Sequence, residues 1–310
     1  MKTINWAFLF LMGFASLWAI DEKPAKPVAI AGIARGAYFG QPLPGETPVP
    51  FAPEVLNSIS PWVEATDFSP DGSQFLLAVG DASYSSAKLY HSKCVDGDWT
   101  PFVAAPFAAD FTFSHEPHFS TNGTHLTFTG KKASGQQDIW ILRYVGDSWG
   151  VPAALPAPLN SDGKEWRGST TADGVVYFGS ERERPGVNQL YKGYRDANQQ
   201  LVVEKLPPPM NTNSYEGDPC VAPDGRFLVF YSARDGQSAD LYVSFRDGQG
   251  GWKSPVILGP DFNSASDEYG AHLSADGRYL FFTRHSAQGN RIYWVAVTAI
   301  DKLDPALEKR

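Results

Sequence analysis

The sequence predicts an all-β fold: a β-propeller of four-stranded blades, five as the leading count and six as the alternative. Three observations predict it: a tight-turn signature at nearly constant spacing, apolar strands in fixed register with each turn, and a composition rich in turn residues. The 310 residues include 29 glycines and 24 prolines, a share that favours many turns over long helices. The chain is 43% hydrophobic, 14% aromatic and 19% charged, a globular composition. By length alone it would form two ordinary domains or one closed β fold. A formal charge of −8 with no local Lys/Arg run argues against nucleic acid as a partner.

Taken from the N-terminus, residues 1–19 read as a signal peptide. Lys2 is followed by a short apolar run from Trp6 to Leu17, with small residues Gly13, Ala15, Ser16 and Ala19 at its exit. The run is shorter than a spanning helix needs, so no transmembrane segment is expected in the mature chain, and the expected location is periplasmic or extracellular. Residues 20–46 read as an N-terminal linker, 47–300 as one propeller domain and 301–310 as a C-terminal tail. Cys94 and Cys220 are too few for a disulfide framework, and their expected places in non-adjacent blades predict two unpaired, mostly buried thiols.

The repeated turns are Ser69-Pro70-Asp71-Gly72, Ser120-Thr121-Asn122-Gly123, Thr171-Ala172-Asp173-Gly174, Ala222-Pro223-Asp224-Gly225 and Ser274-Ala275-Asp276-Gly277. Their Asp or Asn residues advance in steps of 51, 51, 51 and 52. Asp-Gly and Asn-Gly between apolar runs predict hairpins, since both residue types tolerate positive φ. An apolar strand follows each turn, such as Phe75–Val79 or Phe227–Tyr231, and a third follows about ten residues later, such as Asp240–Val243. The fourth strands contain proline, as in Asp98–Val103, which suits an outer edge. The fifth repeat lacks a fourth strand, but Thr47–Ser58 carries that pattern, which predicts ring closure by an N-terminal outer strand on the last blade.

The Ser-Pro-Asp-Gly turns, the Asp240-Leu241-Tyr242-Val243 and Ile292-Tyr293-Trp294-Val295 strands, and Tyr38–Gly45 with Phe51-Ala52-Pro53 resemble exported bacterial TolB-like propellers built from WD-like Pro-Asp repeats. The resemblance spans about residues 38–297. It implies an extracytoplasmic propeller, in a family whose namesake is a periplasmic protein-interaction scaffold. The length leaves no room for the namesake's additional N-terminal domain, so its partners are not carried over.

If the first strand of each blade lines the channel, the fourth-to-first and second-to-third connections share one face. That face collects Asn57, Asn160, Asn211 and Asn263, then Glu64, Glu116, Glu165, Glu216 and Glu268, and the second-to-third loops bring Lys131, Lys132, Arg182, Arg184, Arg234 and Arg284 to the same side. Five carboxylates near one axis suit a channel cation or, in pairs, glycosidase acid–base chemistry; no cofactor is otherwise expected. Recurrence in every repeat favours instead a structural role, with Glu and Asn bonding loop backbone and pairing with Arg of the neighbouring blade.

Residues that break the repeat are the sharper ligand-binding candidates. Four positions before the turn residue stand Asp67, His118, Ser169, Cys220 and His272; six before it stand Ala65, Glu116, Arg167, Asp218 and Gly270. His115 and the aromatics Trp62, Trp166, Tyr215 and Tyr269 lie in the same connections. Aromatic faces beside carboxylates suit a sugar or peptide pocket. The histidines with Glu116 or Asp67 suit a transition metal, but no metal-binding spacing is present and no metal is expected. No nucleophile elbow or phosphate-cradling loop occurs. The leading expectation is a non-enzymatic binding scaffold for an envelope protein or glycan. The alternative is a carbohydrate-active enzyme, glycoside hydrolase or lyase, using funnel carboxylates.

Overall fold

The computed structural model describes residues 34–304 except 84, 147 and 237. The proposed signal peptide lies outside the described residues. Five antiparallel sheets form a five-bladed β-propeller, each chain repeat running from the channel outward. The inner strands are Val63–Phe68, Phe111–Phe119, Glu165–Thr170, Glu216–Val221 and Glu268–Leu273. The fifth sheet is completed by Val49–Pro50, paired with Tyr293 and Trp294 of the last strand, so the ring closes with an N-terminal outer strand. In blades 1 and 2 the outer strand is split in two, at Asp98–Trp99 and Val103–Ala104, and at Ser148–Trp149 and Ala153–Ala154.

The closure is an aromatic seam. Phe51 is 1% exposed and meets Phe281 edge-on at 5.2 Å and Trp294 at 5.1 Å. Phe39 packs on Trp99 at 4.5 Å, so residues ahead of the first strand join the core between blades 1 and 5. Ile300, on a short C-terminal helix, is buried in the core shared by blades 4 and 5.

The repeated turns differ in detail from the expectation. Only their glycines, Gly72, Gly123, Gly174, Gly225 and Gly277, have positive φ. In four of the turns the Asp or Asn side chain instead accepts the N–H two residues on, as Ser73 N to Asp71 at 3.0 Å and Arg278 N to Asp276 at 3.1 Å, while Val175 N donates to Thr171 Oγ1 in the turn at Asp173.

Every inner strand carries a β-bulge in the same place, six residues before the turn residue. Ala65, Glu116, Arg167 and Asp218 sit at φ of 43°, 52°, 31° and 47°, and Gly270 at 65°. The sheet register shifts across each of them. A bulged residue loses its ladder partner, and side chains of the preceding blade supply one. Arg167 N donates to Glu116 Oε2 at 2.8 Å, and Gly270 N donates to Asp218 Oδ2 at 2.9 Å. Farther along the strands, Phe119 N donates to Asp67 at 2.7 Å and Val221 N to Ser169 Oγ at 3.0 Å. At the bulges of Arg167 and Gly270 the left-handed backbone thus knits neighbouring blades at the axis.

Candidate functional site

The five repeated glutamates do not form one ring; they fall into two groups. Glu165, Glu216 and Glu268 stand eight residues before the turn and are fully buried. Glu216 accepts from Thr212 Oγ1 at 2.5 Å, Gln189 Nε2 at 2.7 Å and Ser232 Oγ at 3.0 Å. Glu165 and Glu268 are held in the same way by Ser161 and Ser264. Their arginines come from the same blade, contrary to the expected neighbour: Arg182 at 3.4 Å, Arg234 at 3.7 Å and Arg284 at 2.7 Å. Each guanidinium also donates to carbonyls of the loop entering its own blade and lies over Tyr191, Tyr242 or Tyr293. Asn160, Asn211 and Asn263 bind the backbone of the preceding blade's third strand, at Ile139, Leu190 and Leu241. These residues build blades. Asn57 does not share the role: it is exposed on the helix Pro53–Ile59.

Glu64 and Glu116, at seven and six residues before the turn, line a cavity of about 550 Å³ on the face of the fourth-to-first and second-to-third connections. With them are His115, Trp166, Tyr215, Asp218 and Tyr269, so seven of the fourteen candidates come together. Deeper in the channel lie Asp67, His118, Arg167 and His272, outside the cavity lining. The residues flanking the inner-strand bulges supply the lining, Glu64, His115, Trp166 and Tyr269 at position seven and Glu116 and Asp218 at position six.

His115 is 7% exposed, with Nε2 3.4 Å from Glu64 Oε1 and Nδ1 3.7 Å from Glu116 Oε1. Neither ring nitrogen makes a direct hydrogen bond. Burial alone would depress its pKa, but the Glu64 and Glu116 carboxylates outweigh it and raise His115 to about 10, so an imidazolium sits between two carboxylates. Burial pushes Glu116 up, yet His115, Arg167 and the Thr129 hydroxyl at 2.5 Å outweigh it and bring Glu116 down to about 2. Asp218 goes the other way: burial, then the charge of Glu116, raise it well above the usual carboxylate range. The pair is thus split, with Glu116 the more readily ionised member and Asp218 the more readily protonated one.

Below the floor, Arg167 is 2% exposed and its Nη1 and Nη2 make no hydrogen bond. His272, stacked on Phe281 at 4.9 Å, is held well below its ordinary pKa by burial and by the charge of Arg167. His118 Nδ1 stands 3.5 Å from Asp67. Among the described residues no group of three or more His, Cys, Asp or Glu side chains is arranged to hold a metal ion.

The cavity walls are aromatic: Phe113, Trp166, Tyr215, Tyr231 and Tyr269, from four blades. Tyr269 donates to Glu64 at 2.8 Å, joining blade 5 to blade 1 across the pocket. Phe113 and Tyr231 escaped sequence reasoning. Tyr231 lies on a second strand and fills space left by Gly217, where a Cβ would stand 2.5 Å from the tyrosine oxygen. That glycine, at the position where other blades carry Glu64, His115, Trp166 and Tyr269, was the available signal. Gly80 does the same for Glu64, whose Oε1 would lie 2.1 Å from a Cβ there. Trp62 is not in the lining; it stacks on His285 at 6.0 Å.

No family model and no curated protein sequence matches the chain. Among solved structures it is similar to a chain from Agrobacterium tumefaciens assigned as TolB, with 21% identity and a TM-score of 0.53, over 76% of this chain and 78% of that one. It is also similar to TolB from Acinetobacter baumannii, at 16% identity and a TM-score of 0.43, over 75% of this chain and 54% of that one. An endo-arabinase from Bacteroides thetaiotaomicron shows 14% identity and a TM-score of 0.49, over 75% and 92% of the two chains. At these identities the likeness is one of propeller fold. No helix among the described residues is long and apolar enough to cross a membrane.

Proposed function

We propose that this protein is an exported, non-enzymatic propeller that binds the end of a cell-envelope glycan in its funnel. The observation that carries the reading is the pocket itself: about 550 Å³, walled by five aromatic rings and floored by carboxylates and an imidazolium. Sugar rings present apolar faces that stack on aromatic side chains, and hydroxyls that bond to a few fixed polar groups. The size suits one or two sugar units. Export rests on the signal-peptide pattern of residues 1–19.

A hydrolase is the second reading, favoured by one observation: two carboxyls shifted in opposite directions, Glu116 down and Asp218 up, share the floor. A glycan array followed by calorimetry on the full chain tests both. Binding without release of reducing ends, lost in Trp166→Ala, is the expected result. Reducing-end release abolished by Glu116→Gln would establish the hydrolase. Retention of an envelope protein with no glycan bound would replace the glycan with a protein partner.

A further inference from the structure

We propose that the funnel selects a sugar bearing a free ammonium group, a hexosamine that is not acylated on nitrogen. The inference deepens the glycan reading and rests on it. Four carboxyl side chains line the cavity, Glu64, Glu116, Asp218 and Asp267, and no lysine or arginine does so among the described residues. Taking His115 and the underlying Arg167 as cations, and Glu64, Glu116 and Asp267 as anions, the site carries one excess negative charge with Asp218 neutral and two with Asp218 ionised. An organic cation would balance it, and the aromatic walls present ring faces that attract such a cation.

A simple ammonium ion leaves one feature unused. His115 is more than nine-tenths buried and lines the cavity, and its ring nitrogens face Glu64 at 3.4 Å and Glu116 at 3.7 Å, ion pairs too long to be close hydrogen bonds. An imidazolium there donates to an oxygen acceptor. A hexosamine supplies both complements in one ring: hydroxyl oxygens for His115, and an ammonium for the carboxyls. An N-acetyl group would remove the charge and bring a methyl group to the acidic floor, at a cost in affinity.

Asp218 makes the selection visible in pH. Facing it are Glu116 and His115 of blade 2, Arg167 of blade 3, Tyr215 and Tyr231 of its own blade, and Gly270 N of blade 5. Its carboxyl is held well above the usual carboxylate range in the free pocket, and a bound cation stabilises the ionised form. Binding therefore releases about one proton between the bound-state and free-state pKa of Asp218, and affinity rises with pH across that window. His115 stays charged throughout, because its pKa is near 10.

The test is calorimetry on the full chain with three probes: β-1,4-linked glucosamine disaccharide, its N-acetylated counterpart, and tetramethylammonium, whose charge does not change with pH. The expected result is that the free-amine disaccharide binds about tenfold or more tightly than the acetylated one. Tetramethylammonium should bind more weakly, with affinity rising with pH and proton release seen in buffers of different ionisation enthalpy. Asp218→Asn keeps an acceptor for Gly270 N and should abolish the pH dependence and the preference. Equal or tighter binding of the acetylated disaccharide overturns the amine proposal and leaves the glycan reading standing. Binding of tetramethylammonium but neither sugar overturns both. The wild-type pH profile needs no variant, and a flat one also overturns the proposal.

Discussion

Replacing Asn211 with alanine separates residues that build blades from residues that bind. The Asn211 side chain makes three hydrogen bonds: Leu190 N donates to its Oδ1 at 2.7 Å, and its Nδ2 donates to Leu190 O and Leu206 O, each at 2.8 Å. Leu190 O would keep a partner, since Leu206 N donates to it at 2.9 Å. Two backbone groups would therefore be orphaned, Leu190 N–H and Leu206 C=O, on residues that are 0% and 2% exposed. An unsatisfied buried polar group costs about 1–3 kcal/mol, so the expected loss is about 2–6 kcal/mol, a large part of the stability of any domain. Equilibrium urea unfolding reads it as a fall in midpoint with the slope unchanged. The matched control is Asn57→Ala, which stands in the same sequence pattern but is exposed on a helix and should change stability by less than about 0.5 kcal/mol. A loss below about 1 kcal/mol for Asn211→Ala, or equal losses for the two, would refute the assignment. Ligand binding at temperatures where the variant is folded should be unchanged, because Asn211 does not line the cavity.

Phe51→Ala should cost about 3–5 kcal/mol by the same unfolding assay, because its ring is fully buried in the seam between first and last strands. A loss under about 1 kcal/mol would mean the closure does not depend on that seam. His115 has a folded pKa near 10, above its unfolded value of ~6.5, so its contribution is complete below about pH 6.5 and disappears as pH rises through 10. The melting temperature of His115→Gln should accordingly fall furthest below wild type under mildly acidic conditions and converge with it toward pH 10; a constant gap contradicts the charge assignment. Neither cysteine is paired. Cys220 is buried with its thiol pushed up to about 12, while Cys94 is partly exposed. Thiol titration of the native protein should therefore modify Cys94 well ahead of Cys220, which reacts on unfolding; early labelling of Cys220 refutes the burial.

What the sequence made legible is what each blade needs separately. A glycine at positive φ after an Asx turn recurs because every inner hairpin requires it, and the displaced outer strand at Thr47–Ser58 shows because its pattern matches its counterparts. The glutamates were harder to read for a geometric reason. Glu165, Glu216 and Glu268 stand eight residues before the turn, Glu64 seven and Glu116 six, and in a strand a single step reverses the face. Around the shared bulge, Glu64 and Glu116 then line the cavity, while the glutamates at position eight are held by the incoming loop. Counting offsets separates the groups; grouping by residue type merged them. The opposite shifts of Glu116 and Asp218 are beyond any single repeat, since they arise where four blades converge.

The pocket's dependence on absent side chains gives the last test. At position seven the blades carry Glu64, His115, Trp166, Gly217 and Tyr269, and the one glycine looks at first like a blade with nothing to contribute. Gly217→Ala would place a Cβ 2.5 Å from the Tyr231 oxygen and 2.6 Å from Cζ. The tyrosine is fixed by stacking on Tyr215 at 5.7 Å, so relief requires both rings to move. Overpacking of this kind costs about 1–3 kcal/mol. The more telling consequence is at the wall: two of the five aromatic surfaces shift together, and glycan affinity should fall by about tenfold or more while the variant stays folded. Tyr231→Phe in the Gly217→Ala background removes the closest atom and should recover part of both losses. If Gly217→Ala binds as wild type does, Tyr215 and Tyr231 are not a binding wall, and the funnel's recognition surface reduces to Phe113, Trp166 and Tyr269.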